Sequence, residues 1–235
     1  MKAFGFSTPF SGHIQNYVEE LTLDLEAPRE HDLVVEVKGV AVNPVDTKVR
    51  VRAPASPDSP HVLGYDAAGI VRDVDAKVSR FAVGDEVFYA GDITRPGTFA
   101  DFHLVDERIV GRKPKSLGFA DAAALPLTSI TAWELLFDRF GVPRDASATG
   151  NLLVIGGAGG VGSILIQLAR RLTGLTVIAT ASRPETTAWC ERMGAHHVVN
   201  HHEPLAMQIE AAGVGGLDLA ASLTKTDLHF EAIID

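Results

Sequence analysis

A chain of 235 residues, 46% of them hydrophobic, is long enough to bury one large core or two smaller ones. Its 21 basic side chains against 30 acidic ones give a net charge of −9, which argues against nucleic-acid backbone binding and against an anionic membrane surface as partner. No apolar run reaches the roughly 18 residues of a membrane span, and Met1–Phe6 lacks the continuous apolar core of a secretion signal, so a cytoplasmic location is expected.

From Met1 to about Leu104 the pattern is short apolar runs broken by Gly, Pro, Asn and Asp: Met1–Phe6, Leu33–Val42, Ala67–Val74, Glu86–Tyr89 and Phe99–Leu104. This predicts an all-β module of short twisted strands. Ala53–Pro60 is too proline-rich for anything but an exposed loop. Helical character starts after Gly118, where Ile130, Trp133, Phe137 and Phe140 form one apolar face, ended by Gly141 and Pro143.

From Asn151 onward strands and helices alternate. The apolar stretch Asn151–Ile155 runs into Gly156-Gly-Ala-Gly-Gly-Val-Gly162, in which Gly157, Gly159 and Gly162 fit G-x-G-x-x-G. The first glycine is expected to allow a tight turn, the second to let a pyrophosphate approach the backbone, and the third to let helix and strand pack closely. Gly160 and Val161 are then expected at the pyrophosphate, on the N-terminus of a helix. Val161, Ile164, Leu165, Leu168, Ala169 and Leu172 give that helix an apolar stripe, and Leu175–Ala181 supplies the second strand of a β-α-β unit.

Pro184–Met193 reads as a helix, with His197–Asn200 and Leu217–Leu223 as further strands of a parallel sheet. Leu223 and Thr224 would then border the cofactor crevice. Cys190, the only cysteine, lies beside Trp189 and reads as a small core residue. Phe230–Asp235 reads as a helix that stops in mid-pattern, with about four of the six strands of a doubly wound sheet accounted for, as a fragment of a longer chain would show.

The dinucleotide follows from the end of the second strand, where NAD enzymes carry a carboxylate for the ribose 2′-hydroxyl. Ala181-Ser182-Arg183 stands there instead. Ser182 can donate a hydrogen bond and Arg183 can pair with a 2′-phosphate, so NADPH is favoured over NADH.

Asn43-Pro-Val-Asp-Thr-Lys-Val-Arg50, Gly64-Tyr-Asp-Ala-Ala-Gly-Ile-Val71, Gly84-Asp-Glu-Val87, Gly97-Thr-Phe-Ala100, Ala124–Ala132, the glycine turn and Met193-Gly-Ala195, in that order, resemble the medium-chain dehydrogenase/reductase superfamily. The closer resemblance is to its zinc-free quinone oxidoreductase branch, whose members are often named zinc-type alcohol dehydrogenase-like. It implies an α/β protein with a GroES-like β-rich catalytic domain, residues 1–125, and a Rossmann dinucleotide-binding domain with a doubly wound parallel sheet, residues 126–235. It also implies a homodimer in a full-length parent.

The zinc-dependent branch carries a cysteine near Asn43-Pro-Val-Asp46 and a Gly-His-Glu where this chain has Gly64-Tyr65-Asp66, so neither of those ligands is present and no metal site is expected. His196, His197, His201 and His202 form two adjacent pairs that strand geometry would turn to opposite faces.

Hydride transfer from NADPH to a quinone or an α,β-unsaturated carbonyl, without a metal, is the activity implied. The alternatives are a zinc-dependent alcohol dehydrogenase and a cofactor-binding member without efficient catalysis. The family's positions place Asn43 at the nicotinamide as a hydrogen-bonding and catalytic residue, with a turn-capping Asn as its plainer reading. Tyr65 stands where the zinc branch has its histidine and could donate to a developing oxyanion, or simply pack. Thr131 corresponds to a threonine beside the carboxamide and His201 to a position at the adenosine half. Asp46 is expected to fix its loop, and Lys48 and Arg50 to be solvated loop cations.

Overall fold

A computed structural model of the chain describes residues 1–12 and 17–234. It divides into two compact units, Met1–Leu127 and Thr128–Asp235.

The first unit runs β1 (Lys2–Phe6), β2 (Glu19–Thr22), β3 (Asp32–Ala41), α1 (Pro44–Arg52), β4 (His61–Val62), β5 (Asp66–Val74), β6 (Glu86–Ala90), β7 (Phe102–Asp106), a short 3₁₀ turn (Glu107–Ile109), β8 (Gly111–Arg112) and α2 (Phe119–Ala123). One antiparallel sheet has the order β2-β1-β4 and a second the order β7-β3-β5-β6-β8. The larger sheet closes over Leu33, Val35, Val71, Val87, Tyr89 and Val105. On its other side α2 packs Ala122 and Ala123 against Ala68. That approach requires Gly39, where a Cβ would lie 2.6 Å from the Phe119 carbonyl oxygen.

The first unit is therefore not all-β. α1 was hidden because its apolar residues, Val45, Val49 and Val51, do not form its inner face. The buried side chains are Asp46 and Arg50, four residues apart on one side of the helix. Arg50 is 3% exposed, with its guanidinium carbon 4.2 Å from the centre of the Phe6 ring and near the Phe10 and Tyr17 rings. Its Nε donates to the Tyr17 carbonyl. Arg50 is a packing cation, not a solvated one; Lys48 is exposed as expected.

α3 (Pro126–Trp133) leads into the second unit and continues as a π-helical stretch (Glu134–Arg139). There follow β9 (Asn151–Ile155), α4 (Gly160–Leu172), β10 (Thr176–Thr180), α5 (Pro184–Met193), β11 (His197–Val199), α6 (Leu205–Ala211), β12 (Leu219–Ser222) and α7 (Thr226–Ile234). The residues buried from α3 and the π stretch are Ala132 and Leu136, while Ile130 and Trp133 are 46% and 37% exposed. Phe137 and Phe140 pack partly buried against the same core, so the expected face holds beyond the widened turn and fails before it, where the helical phase changes.

The sheet is wholly parallel, in the order β11-β10-β9-β12. Both of its faces are apolar, as parallel sheets require. Leu152 and Val154 meet Leu165, Ile166 and Ala169 of α4, whereas Leu153 and Ile155 meet Val199, Leu205 and Ile209. Cys190 is fully buried in the first of these clusters. α6 was not expected from the sequence, and Asp235 of the anticipated terminal helix lies outside the described residues.

Candidate functional site

In the second unit β10 and β12 flank β9 on opposite sides, so the strand order reverses at β9. Ligands of doubly wound sheets bind beyond the carboxyl ends of the strands at such a reversal. The glycine turn lies there, between β9 and α4. Its left-handed residue is Gly156, with φ +83°, rather than Gly157. Gly157 is needed for packing, since a Cβ on it would come within 2.8 Å of the Ala179 side chain. The tightest contact is at Gly162, where a Cβ would lie 2.4 Å from the Gly156 carbonyl oxygen.

Gly159 caps α4, and the first bond of that helix runs from Ser163 N–H to Gly159 O at 2.9 Å. The N–H groups of Gly160, Val161 and Gly162 therefore precede the helical ladder and face outward from the positive end of the helix. Gly159 and Gly160 are exposed, so an anion can reach them. These residues fit a dinucleotide pyrophosphate. Thr224 stands beside the Gly156 turn, and the Leu223 N–H donates to Ile155 O at 3.2 Å, which puts both residues at the crevice edge. On α3 the side chain of Thr128 lies next to Gly160, with Thr131 exposed one turn further along the same side.

A 520 Å³ cavity lies at the end of β10, lined by Ser182, Arg183, Thr187, Glu191, Asn200 and Gln208 among others. Ser182 and Arg183 thus share one cavity. Arg183 is paired with Glu185, Nε to Oε1 at 2.8 Å, with both side chains about two-thirds exposed. Glu191 brings a carboxylate that reading along the strand end alone did not count. Asn200 and Gln208 were missed as well, because α6 was missed. The Gln208 side-chain amide forms a closed pair with the main chain of Asn200, whose N–H donates to Gln208 Oε1 at 2.8 Å and whose carbonyl accepts from Gln208 Nε2 at 2.9 Å, which fixes the end of β11.

His201 follows that end. It sits in a turn, not a strand, so the alternation argument does not hold for its pair: the His201 and His202 rings are 4.5 Å apart, and His229 lies 5.8 Å from His201. Burial, together with His202, His229 and Lys225, holds the His201 imidazole below its usual pKa. His196 has a structural role, its Nδ1 accepting the Val177 N–H at 2.9 Å.

The second group of candidate residues lies in the first unit, where Asn43 caps α1. Its N–H donates to the Asp46 carboxylate at 2.6 Å, and its carbonyl accepts the Asp46 N–H at 3.0 Å. Its side-chain Nδ2 donates to the Asp66 carboxylate at 2.8 Å. The other Asp66 oxygen accepts the Leu127 N–H at 2.8 Å. Asp66 is fully buried, and burial pushes its carboxyl up to about 6 despite those two bonds.

Beside Asp66 in sequence, Tyr65 is 4% exposed, and its phenol takes no hydrogen bond among the described residues. Burial, with Asp46 and Asp92 nearby, raises the phenol pKa, so it stays protonated through neutral pH. Asp66 carries no local signal in the sequence, because Asn43 and Leu127, which converge on it, lie 23 and 61 residues away.

This cluster does not fit zinc. It offers an amide, a phenol and a carboxylate already accepting two N–H donors, with no thiolate or imidazole among them. Among the described residues no group of three or more His, Cys, Asp or Glu side chains is arranged to hold a metal ion.

Two family models match the chain, the alcohol dehydrogenase GroES-like domain over residues 29–115 and the zinc-binding dehydrogenase over residues 160–234. A zinc-type alcohol dehydrogenase-like protein of Staphylococcus epidermidis is 40% identical over all of this chain and 70% of its own length. The chain belongs to the medium-chain dehydrogenase/reductase superfamily. A solved superfamily structure from Rhizobium etli, assigned as a zinc-dependent alcohol dehydrogenase protein, is 55% identical, with a TM-score of 0.91 over 99% of this chain and 68% of that one. The quinone oxidoreductase of Escherichia coli, solved with NADPH, is 27% identical, with a TM-score of 0.74 over 91% of this chain and 63% of that one. These matches place the chain in the quinone oxidoreductase-like part of the superfamily and bear out the GroES-like and Rossmann-like architecture. No helix among the described residues is long and apolar enough to cross a membrane.

Proposed function

We propose that this oxidoreductase transfers a hydride from NADPH to a quinone or an α,β-unsaturated carbonyl without a metal. The observation that carries the reading is the Asn43, Tyr65 and Asp66 cluster, whose buried phenol suits hydrogen bonding to an oxygen and whose amide and carboxylate do not suit zinc. Oxidising an alcohol at neutral pH calls for a Lewis acid to ionise it, whereas a conjugated carbonyl is already electrophilic. A quinone is itself a doubly conjugated enone, so one site chemistry serves both acceptors.

When bound, the reduced nicotinamide supplies the hydride. The chain's own residues hold, orient and protonate. The N–H groups of Gly160, Val161 and Gly162 hold the pyrophosphate. Ser182 and Arg183 read the 2′-phosphate, which has to share the Arg183 guanidinium with Glu185. In the second unit Thr131 is assigned to the carboxamide end and His201, Leu223 and Thr224 to the adenosine half and the crevice; in the first unit Asn43 is assigned to hydrogen bonding with the bound ligand. Tyr65 donates from its phenol to the oxygen on which negative charge develops.

The test is consumption of NADPH and of NADH with 1,4-benzoquinone, with an enone and with an alcohol as separate substrates. Faster turnover of NADPH with the first two is expected. Turnover of the alcohol alone would overturn the reading, and a preference for NADH would overturn the roles of Ser182 and Arg183.

A further inference from the structure

Both hydrogens of the Asn43 side-chain amide face acceptors, the Asp66 carboxylate at 2.8 Å and, more loosely, the Ala41 carbonyl at 3.5 Å. Turning the amide over would set its oxygen against both of those oxygens, two repulsive contacts in place of two attractive ones. Asp66 cannot turn away to relieve this, because its second oxygen is held by the backbone N–H of Leu127 and its side chain is fully buried. The Thr98 hydroxyl donates to its main-chain carbonyl at 3.2 Å, fixing the backbone as well. Of the Asn43 amide, Oδ1 is the atom left to offer a ligand, through a lone pair that the Asp46 N–H of the capping box does not take.

We infer that Asp66 is a positioning residue, which locks the Asn43 amide so that Asn43 meets a bound ligand as a hydrogen-bond acceptor and leaves oxyanion donation to Tyr65. This rests on the hydride-transfer reading for its chemistry, though not for its geometry. The partner for Oδ1 is an N–H or O–H group, such as a primary carboxamide. It is not the carbonyl oxygen of the acceptor. Asn43 thus orients, and the phenol of Tyr65, protonated and without a hydrogen-bond partner among the described residues, is the group able to donate.

The lock depends on the charge of Asp66. Its ionised form accepts from both Asn43 and Leu127; the protonated form carries a hydrogen that can point at Asn43 and loosen the amide. The groups facing Asp66 are the Asn43 amide, the Leu127 N–H and the Asp46 carboxylate of α1, whose negative charge adds to burial in raising the Asp66 carboxyl. Among the described residues no Lys, Arg or His side chain acts on it. Asp46 is itself raised, with burial the main cause.

Asp66→Asn gives a sharp test. The Leu127 N–H cannot reverse, so it takes the oxygen of the replacement amide, whose NH₂ then faces Asn43 and turns the Asn43 amide over. In the wild-type chain the Asn43 side-chain NH₂ resonance, assigned by its loss in Asn43→Ser, is expected to exchange slowly above pH 6 and to move with a midpoint near 6. In Asp66→Asn it is expected to exchange at least about tenfold faster at pH 7, with no such midpoint. The kcat/KM of the wild-type chain with 1,4-benzoquinone should fall below pH 6, and that limb should be absent in the variant.

Equal exchange in the two proteins, or an acid limb unchanged in the variant, would overturn the inference. If the wild-type chain turns over no quinone or enone, the hydride-transfer reading fails instead, and the wild-type resonance alone still decides the amide's orientation. A variant that does not fold leaves the decision to that same resonance, whose failure to titrate near pH 6 would refute the lock.

Discussion

The two units offer a ligand opposite kinds of surface. In the second the candidate phosphate site is made of backbone: the N–H groups at the start of α4, held by a left-handed Gly156 and by the close fit of Gly162. In the first the candidate site is made of side chains: Asn43 donates to Asp66 across 23 residues of chain, the Leu127 N–H holds Asp66 across 61, and Tyr65 precedes Asp66 in sequence. A backbone site tolerates side-chain change and fails when space is filled. A side-chain site tolerates small changes of volume and fails when a proton or a donor is moved.

Acid should separate the units most. His103 in the first unit is 5% exposed, with Nδ1 3.1 Å from the Tyr89 hydroxyl and Nε2 3.0 Å from the Pro96 carbonyl, and burial holds its imidazole down to about 4. The bidentate Arg95–Asp32 pair is near enough to act on it, Arg95 lowering and Asp32 raising. A histidine kept neutral by folding contributes stability above its unfolded value of roughly 6.5, lost as pH falls from there toward 4, on the order of 3 kcal/mol in all.

Asp66 works the other way. Its carboxyl is raised by folding, so its unfavourable contribution shrinks as pH falls from about 6 toward 4. Chemical denaturation at pH 7 and pH 4.5 in wild type and His103→Gln isolates the histidine. The variant should lose less stability on acidification, and an unchanged pH dependence would remove His103 from the account.

Next in size, Tyr65→Phe should lower kcat with 1,4-benzoquinone by about 100-fold while leaving the KM for NADPH within about twofold, the split expected when a proton donor is removed from a site that still binds. A rise in KM alone would make Tyr65 a packing residue. Gly162→Ala should weaken NADPH binding by roughly 30-fold in fluorescence titration, since about 2 kcal/mol of overpacking falls on the helix that presents the phosphate amides. Retained affinity would show that the cradle has more room than the 2.4 Å contact allows.

Arg183→Ala should raise the KM for NADPH by about tenfold and leave that for NADH unchanged, the worth of one charge-assisted pair at an exposed site. Smallest of all, Glu185→Gln should tighten NADPH by about twofold by releasing Arg183 from its ion pair. If both nucleotides respond alike, Arg183 holds the turn into α5 and does not read the 2′-phosphate.

The second unit was the more legible because its elements follow local rules. The stripe of α4 and the glycine spacing appear in contiguous sequence, and the Pro184–Met193 helix, ended by Gly194 at φ +106°, was predicted residue for residue. Even there, the positive φ falls one residue before the G-x-G-x-x-G motif begins, and Glu191, Asn200 and Gln208 come to the cavity at the end of β10 from elements whose placement only the fold supplies. In the first unit α1 inverts the usual rule by burying a carboxylate and a guanidinium, so apolar periodicity could not find it. The partnership of Asn43 with Asp66 depends on β5 being brought beside the start of α1, a long-range pairing with no local signal.

Hydride transfer without a metal is tested by NADPH oxidation with 1,4-benzoquinone before and after exhaustive chelation and dialysis of the chain. The expected result is an unchanged rate that added zinc does not raise. A rate that collapses on chelation and returns with zinc would make this a metal-dependent enzyme.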